Sequence, residues 1–270
     1  MTTFSRITSR LNAFEFTPAQ RLQYGLIALW MLAMISLPIF KWTFGEEIIP
    51  TAVTFALMVQ FVAVLTIVST HAGLRWTLVA LAIVAVTTWS LEEIGSHTGF
   101  PFGGYSYTDV LQPQIGGVPL LIPLAWFMML PSSWAVASAI LGERRHRVYG
   151  PAAYIGISAL AITAWDLFLD PQMVDWGFWV WENPTGYFGI PWVNYAGWIL
   201  TGVLVTWFVR PYRRTLPIIP LLTVYGVVWF LQSIGQAVFW GQPGPAFVGS
   251  IAMGILLVLA GWRLNQETSA

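Results

Sequence analysis

The sequence predicts an all-α integral membrane protein, a polytopic bundle of about eight transmembrane helices. Of the 270 residues, 57% are hydrophobic and only 9% are charged, whereas about 25% of the residues of an ordinary soluble domain are charged. A soluble fold of this length has too little interior to bury so much apolar sequence. Many apolar stretches are also close in length to the roughly 20 residues that a helix needs to cross a bilayer. We therefore expect one membrane domain over residues 1–270, with polar tails at 1–20 and 264–270.

Eight apolar segments are long enough to span the bilayer. In chain order the expected spans are 22–40, 50–70, 74–94, 118–141, 149–169, 192–209, 216–238 and 245–262. The fifth is interrupted by Asp166 and Asp170, and Pro171 is expected to end its helix because the residue before a proline disfavours the helical conformation. The first span is long enough to cross and follows a mixed polar segment, so we expect no cleaved signal peptide and no lipidation signal.

The distribution of basic residues favours a multi-pass protein of the cell membrane, with eight spans and with both termini in the cytoplasm. The clusters at 143–147 and 210–214 then occupy short inner loops, as the positive-inside rule expects. Only Lys41 lies outside, and the inner side holds Arg6, Arg10, Arg21, Arg75, Arg144, Arg145, Arg147, Arg210, Arg213, Arg214 and Arg263. The outer half holds Glu46, Glu47, Glu92, Glu93, Asp109, Asp166, Asp170, Asp175 and Glu182. Because acids contribute little to orientation, their sorting indicates a functional outer face.

Two outer connections, 95–117 and 171–191, are longer than about 15 residues, a length at which a structureless loop is usually functional. Both are rich in Gly, Pro and aromatic residues, and such sequence can lie at membrane depth only where protein covers it or where it lines a cavity. They end alike, in the sequences GVP at 117–119 and GIP at 189–191, and each leads into a helix with an early tryptophan, Trp126 or Trp198. This pattern suggests a weak internal repeat of a helix–loop–helix unit.

Acidic residues at the ends of two spans are the first candidates for chemistry. Asp166 and Asp170 are four residues apart and therefore share a helix face. A carboxylate inside a span costs about 2.5–3.5 kcal/mol on insertion scales, so such residues are functional candidates by default. The alternative for Asp170 is a solvated helix end in the headgroup zone. Glu92 and Glu93 point about 100° apart, so only one can face a common site; the alternative is an interfacial pair that reaches water.

Aromatic residues of the first long loop form the second group of candidates. A Gly-Gly pair at 103–104 suits a two-residue hairpin turn. In that register Phe102 opposes Tyr105 and Phe100 opposes Tyr107, which would give an apolar lid over a long hydrophobic ligand. The alternative for these residues is the aromatic belt of membrane proteins.

Tryptophans near the acids are better site candidates than the rest, because the face of a Trp ring stabilises a cation by roughly 0.5–2 kcal/mol. Trp89 and Trp165 neighbour Glu92 and Asp166 in sequence. Other outer tryptophans are expected in the belt: Trp176, Trp179, Trp181, Trp192 and Trp198. The expected substrate-binding set is Trp89, Phe100, Phe102, Tyr105, Tyr107, Trp126 and Trp165.

The composition excludes several kinds of chemistry. The chain has no cysteine, which rules out disulfides, thiolate metal sites and thiol catalysis. Three histidines are too few for a membrane di-iron centre, and although His97 lies four residues after Glu93, we expect no metal site. No dinucleotide-binding fingerprint follows a strand, and a net charge of zero gives no reason to expect nucleic acid. Acid–base chemistry remains. Gln232 and Gln236 share a helix face and are expected to be structural.

Three blocks resemble the carotenoid biosynthesis membrane family, typified by carotenoid 1,2-hydratases and bisanhydrobacterioruberin hydratases. They are TGFPFGGYSYTD at 98–109, GVPLLIPLAWFMM at 117–129 and AWDLFLDPQM at 164–173. The likeness extends from about the second span to the eighth. The acid that precedes the first block in the family falls on Glu92, and the third block supplies Asp166 and Asp170. Glu93 departs from the family pattern, so we assign it no role.

The resemblance implies hydration of a terminal isoprene double bond of an acyclic or monocyclic carotenoid, without a cofactor. A strong acid must protonate the less substituted alkene carbon, which leaves a tertiary carbocation. A carboxyl group among apolar side chains keeps its proton because desolvation penalises the carboxylate, and it can act as the donor. A second carboxylate would orient the attacking water. We expect Asp166 or Glu92 as donor and Asp170 or Asp109 as the water-orienting base.

Two other functions remain open at this stage. A membrane lycopene cyclase would use the same protonation but quench the cation internally, without adding water. A carotenoid or lipid binder, or a transporter, would return the pigment unchanged. In each case the expected partners are a carotenoid and the lipid bilayer, with no nucleic acid. Other membrane enzymes of the carotenoid pathway are further candidate partners.

Overall fold

Eight long apolar helices make up most of the chain, which confirms the predicted all-α bundle. The computed structural model describes residues 16–269, so Arg6 and Arg10 lie outside the described residues. The helices are α1 (Pro18–Phe44), α2 (Ile49–Ala72), α3 (Leu74–Thr98), α4 (Leu121–Leu141), α5 (Gly150–Asp175), α6 (Trp192–Val209), α7 (Ile218–Ile234) and α8 (Pro243–Ser269). Within the described part, all eight are long and apolar enough to cross a membrane, some with a short flanking turn.

Helix ends follow from local sequence. The hydroxyl of Thr17 accepts from the Gln20 backbone N–H and the Gln20 side chain accepts from the Thr17 N–H, so a capping box starts α1 just before Pro18. A π-helical turn, Gly235–Phe239, follows α7. Part of the predicted C-terminal tail, from residue 264 on, continues α8 as far as Ser269.

The expectation that Pro171 ends the fifth helix is wrong, because α5 continues to Asp175. A proline inside a helix leaves the carbonyl four residues earlier without its N–H donor. Here that carbonyl belongs to Leu167, and the hydroxyl of Tyr187 donates to it at 3.1 Å. A side chain from the second long loop therefore replaces the lost backbone donor, and the helix can pass through the proline without leaving this carbonyl unpaired.

Helix α4 forms the centre of the bundle. In the apolar stretch of this helix 83% of the residues are buried, against 22–56% in those of the other seven spans. The helix packs against α2, α3, α5, α7 and α8. Polar side chains link the inner helices: Trp134 donates to the Thr206 hydroxyl at 3.0 Å, and the Tyr154 hydroxyl donates to the Trp134 carbonyl at 2.9 Å. Such bonds stabilise contacts between spans. In contrast α1 lies at the edge and packs mainly on α2.

The two long loops lie at the same end of the bundle and pair with each other. Strand β1 (Tyr105–Tyr107) is antiparallel to β4 (Trp179–Trp181), with Ser106 opposite Val180. Strands β2 (Gln114–Ile115) and β3 (Val118–Pro119) form a small hairpin. Because the helices alternate in direction, the basic clusters at 143–147 and 210–214 lie at the opposite end. Which end faces the cytoplasm stays a prediction.

The predicted hairpin about residues 103–104 is wrong. The N–H of Gly103 donates to the Gly99 carbonyl at 2.6 Å, which closes a turn at the end of α3 before the strand begins. Tyr105 therefore lies opposite Trp181 of the second loop rather than opposite Phe102. The partner strand comes from the corresponding loop, a pairing across the proposed repeat that local turn chemistry does not reveal.

Candidate active site

A cavity of about 420 Å³ lies beneath the paired strands, between α3, α4, α5 and α6. Most of its wall is aromatic. Its eight aromatic rings are those of Phe102, Tyr105, Tyr107, Trp126, Trp165, Trp179, Trp181 and Trp198. The polar groups in the wall, apart from the two tyrosine hydroxyls and the indole N–H groups, are Glu92, Asp170 and Asn194. We call this space the acid cavity.

Glu92 lies near the end of α3 and is 5% exposed. Its Oε2 accepts from the hydroxyls of Tyr105 at 2.5 Å and Tyr107 at 2.8 Å, and its Oε1 accepts from Trp126 Nε1 at 3.3 Å. The two tyrosines are two residues apart in β1 and so project from the same face of the strand. Burial and the Glu92 carboxylate raise the pKa of both tyrosine hydroxyls, which therefore stay protonated and donate.

Asp166 and Asp170 occupy successive turns of α5, and both are buried, at 0% and 3% exposure. The side-chain amide of Asn194 in α6 donates to Asp166 Oδ2 at 3.0 Å and also to Asp170 Oδ2. Trp179 Nε1 donates to Asp170 Oδ1 at 2.8 Å. Asp170 lines the acid cavity, whereas Asp166 lies behind it. The alternative of a solvated helix end is therefore wrong for Asp170.

The shared Asn194 amide, which donates to both aspartates, holds the two carboxyl groups side by side. Asp166 Oδ1 has no hydrogen-bond donor among the described residues. A proton shared between the two carboxyl groups would satisfy this buried oxygen, since two carboxylates have no donor to offer each other.

Phe102 holds the first loop in place because two helices approach its ring at glycines. A Cβ atom at Gly95 of α3 would lie 2.8 Å from the Phe102 ring, and one at Gly197 of α6 would lie 2.5 Å from it. Both distances are shorter than real Cβ contacts, so a side chain at either position would force the Phe102 ring to shift. The ring of Phe102 packs edge-on against Tyr105, with centroids 6.2 Å apart. The packing of Phe102 thereby positions the hydroxyl that binds Glu92.

A second cavity, of about 800 Å³, adjoins the first toward the middle of the bundle. Its wall is mainly aliphatic and aromatic, and the polar members are Gln60, Gln172 and Gln232. Five residues line both spaces: Ile122, Ala125, Trp165, Leu169 and Trp179. We call the second space the apolar chamber. An apolar ligand lying in it would direct one end toward Glu92 and Asp170.

Most of the predicted site residues come together. Glu92, Asp170, Phe102, Tyr105, Tyr107, Trp126 and Trp165 line the acid cavity, and Asp166 contacts its wall through Asn194.

Three predicted site residues do not reach the acid cavity. Asp109 is exposed, because the preceding Thr108 is bonded to the second loop and the chain then turns away. Phe100 is 62% exposed, since Phe102 occupies the inward position. Trp89 instead donates its indole N–H to the Ile115 carbonyl at 3.2 Å and so supports the small hairpin.

Seven residues of the cavity wall were not among the predicted site residues: the aliphatic Ile122, Ala125 and Leu169, and four aromatic or polar ones. Trp179, Trp181 and Trp198 were assigned to the belt but are buried in the cavity wall, and Asn194 was overlooked. The alternation WVW at 179–181 matches YSY at 105–107, and this similarity could have indicated a second inward-facing strand. By contrast Trp192 is 65% exposed, as a belt residue would be. Gln236 donates to the Phe168 carbonyl at 2.7 Å and to Gln232 at 3.3 Å, in keeping with a structural role.

Comparisons with known proteins indicate the family of the chain. The pattern of the carotenoid biosynthesis protein family matches residues 51–256, which include every residue of the acid cavity. A bisanhydrobacterioruberin hydratase of Haloarcula japonica is 35% identical over 157 residues, covering 55% of this chain and 48% of the relative. The chain thus spans about half the length of that relative. No solved structure matches.

Proposed function

The chain belongs to the carotenoid biosynthesis protein family, and from that premise we propose that it is a carotenoid hydratase. It would add water across a terminal isoprene C=C of an acyclic or monocyclic carotenoid of the gamma-carotene or bisanhydrobacterioruberin type. The observation that carries the proposal is the position of Glu92 and Asp170 in one aromatic cavity that adjoins an apolar chamber. The name of the 35% identical relative supports the same reaction class.

The proton donor in this proposal is Asp170, supported by Asp166. This exchanges the roles that the sequence suggested for Asp170 and Glu92, because Asp170 and not Asp166 lines the cavity. Two adjacent carboxyl groups favour a state in which they share one proton, because two neighbouring carboxylates would repel each other. Asp170 faces the cavity and would pass its proton to the less substituted carbon of the double bond. The π electrons form the new C–H bond, and the tertiary carbon is left with the positive charge. Asp166 is a positioning residue, because Asn194 and Asp170 separate it from the cavity.

Glu92 is the proposed base. Three donors converge on its carboxylate, which equips this position to hold negative charge next to the cation. A water bound to Glu92 would attack the tertiary carbon through its oxygen and form the C–O bond. Glu92 then takes the proton released from that water, and water in the cavity returns it to the aspartate pair. The net change is the addition of one water, with no oxidation or reduction.

Aromatic rings would stabilise the cation between these two steps. Trp165 and Trp179 line both the acid cavity and the apolar chamber, where the terminal isoprene unit would pass from one to the other. The face of a desolvated tryptophan ring can stabilise a positive charge by about 2 kcal/mol. The same rings exclude bulk water, so that only a bound water reaches the cation.

Expression in a carotenoid-producing bacterium that lacks a hydratase tests the proposal. We expect a pigment heavier than its precursor by one water, and we expect this product to disappear in Asp170→Asn. Asp175→Asn is the matched control, since Asp175 ends the same helix but is exposed. An isomer of unchanged mass would instead indicate a cyclase, and an unchanged pigment in the presence of the folded wild-type protein would indicate a carrier.

A further inference from the structure

A third hollow space connects the apolar chamber to the side of the bundle. This groove has a volume of about 1000 Å³ and lies between α1 and the end of α7 with its π-helical turn. Six residues line both the groove and the apolar chamber: Met34, Leu37, Gln172, Trp176, Leu231 and Gln232. Since the chamber in turn adjoins the acid cavity, the three spaces form a series from the surface of the bundle to the carboxyl groups.

The groove faces the side of the bundle that lipid would contact. Ile35, Ile39 and Phe230 line it and are 48%, 50% and 52% exposed. In a spanning helix, exposed apolar side chains of this kind face the acyl chains. The bundle is also loosely packed here, because α1 packs mainly on α2 and makes little contact with α7. A π-helical turn often marks a functional site, and here it borders the opening.

Aromatic contacts cross the end of the groove that is nearest the long loops. Trp42 packs edge-on against Phe239, with centroids 5.7 Å apart. Lys41 Nζ lies 5.6 Å from the Trp240 ring centroid, and Trp240 packs edge-on against Trp176 at 5.0 Å. These contacts obstruct entry from the water at that end and leave the lateral side, between the two helices, as the wider approach.

We propose that this groove is the port through which the substrate's polyene chain enters from the bilayer. The polyene would pass between α1 and α7 and then past Gln172 and Gln232, which line both the groove and the apolar chamber. Its terminal isoprene unit would then lie in the acid cavity. The identity of the occupant as a carotenoid rests on the proposed function. Within residues 16–269, no charged side chain lines the groove or the chamber, which suits an uncharged hydrocarbon.

The native chain has no cysteine, so a single introduced thiol can be modified selectively. In Leu231→Cys the thiol would lie in the wall shared by groove and chamber. We expect benzyl methanethiosulfonate to reduce hydration by this variant at least tenfold, a change of about 1.4 kcal/mol, and a reducing agent to restore it. Val258→Cys is the matched control, because Val258 is 70% exposed on α8 and lines none of these spaces.

A second measurement does not depend on catalysis. Bound carotenoid should slow the labelling of Leu231→Cys and of Ile35→Cys, whose thiol would lie in the exposed wall of the groove. It should not slow the labelling of Val258→Cys. Protection without any hydrated product would refute the proposed function and leave the port standing. Full hydration by benzyl-labelled Leu231→Cys, or labelling of both groove variants at the same rate with and without carotenoid, would overturn the port whatever the reaction is.

Discussion

The indole rings of Trp126 and Trp198 stack, with centroids 4.1 Å apart and an interplanar angle of 24°. The two residues hold corresponding positions in α4 and α6, at the same distance in sequence from Pro119 and Pro191. In each unit a long loop contributes one strand to the β1–β4 pair and closes a tight antiparallel bridge just before its proline. These matches support the internal repeat that the sequence suggests.

The two repeat units carry different carboxyl sites. In the first unit Trp126 and the tyrosines of β1 bind Glu92. In the second unit Asn194, one turn before Trp198, binds both Asp166 and Asp170. Glu92 thus has three donors to itself, while Asp166 and Asp170 share one amide and Asp170 also accepts from the Trp179 indole. Such unlike surroundings can assign unlike roles to chemically similar groups.

Replacing Asp166 by Asn should abolish hydrated pigment while leaving the protein folded in membranes. The substitution keeps the side-chain shape but removes the partner that shares a proton with Asp170, and positioned acids contribute about 10²–10⁴-fold to rate. Pigment mass analysis measures the product, and protein quantity in the membrane fraction checks folding. The exposed Asp175→Asn variant should keep its activity. Normal hydration by Asp166→Asn would remove Asp166 from the mechanism.

Tyr105→Phe and Tyr107→Phe should each lower the hydration rate. Each removes one donor to Glu92, and a hydrogen bond to a charged group contributes about 1.5–3 kcal/mol, which corresponds to roughly 10- to 100-fold in rate. Initial rates of product formation in membranes provide the measurement. Tyr149→Phe is the control, because Tyr149 is 83% exposed. Two variants as active as the wild type would argue against Glu92 as the base.

Gly197→Ala should destabilise the protein by about 1–3 kcal/mol, the usual cost of overpacking. The added methyl group would lie 2.5 Å from the Phe102 ring and 2.9 Å from the Pro101 carbonyl oxygen. Thermal unfolding in detergent measures the loss, and Gly156→Ala is the control, since nothing lies within 4 Å of a Cβ at that helical position. Adding Phe102→Leu should recover part of the stability of Gly197→Ala. A double variant no more stable than Gly197→Ala alone would show that the contact with the Pro101 carbonyl oxygen, and not the Phe102 ring, causes the loss.

The sequence predicts the bundle well because each span carries its own signal, a long apolar run that the bilayer requires. It also draws attention to Glu92, Asp166 and Asp170, since acids in such runs are conspicuous, and the structure places all three in or beside the acid cavity. It does not predict which loop aromatics face inward, because that depends on pairing between loops about 70 residues apart, as in Tyr105 with Trp181. Asp109 illustrates the same limit: its nearness in sequence to Tyr107 says nothing about the turn that carries it outward.

The hydrogen bond from the Tyr187 hydroxyl to the Leu167 carbonyl should stabilise the protein more when Pro171 is present than when it is replaced. Tyr187→Phe leaves the Leu167 carbonyl without a donor inside the bundle, at a cost of about 1–3 kcal/mol. Pro171→Ala restores a backbone N–H that can bond to this carbonyl. In a double-mutant cycle followed by thermal unfolding, we therefore expect Tyr187→Phe to cost clearly less when Pro171 is already Ala. If the cost were equal in both backgrounds, the hydroxyl would not be compensating for the proline, and another explanation for the continuous α5 would be needed.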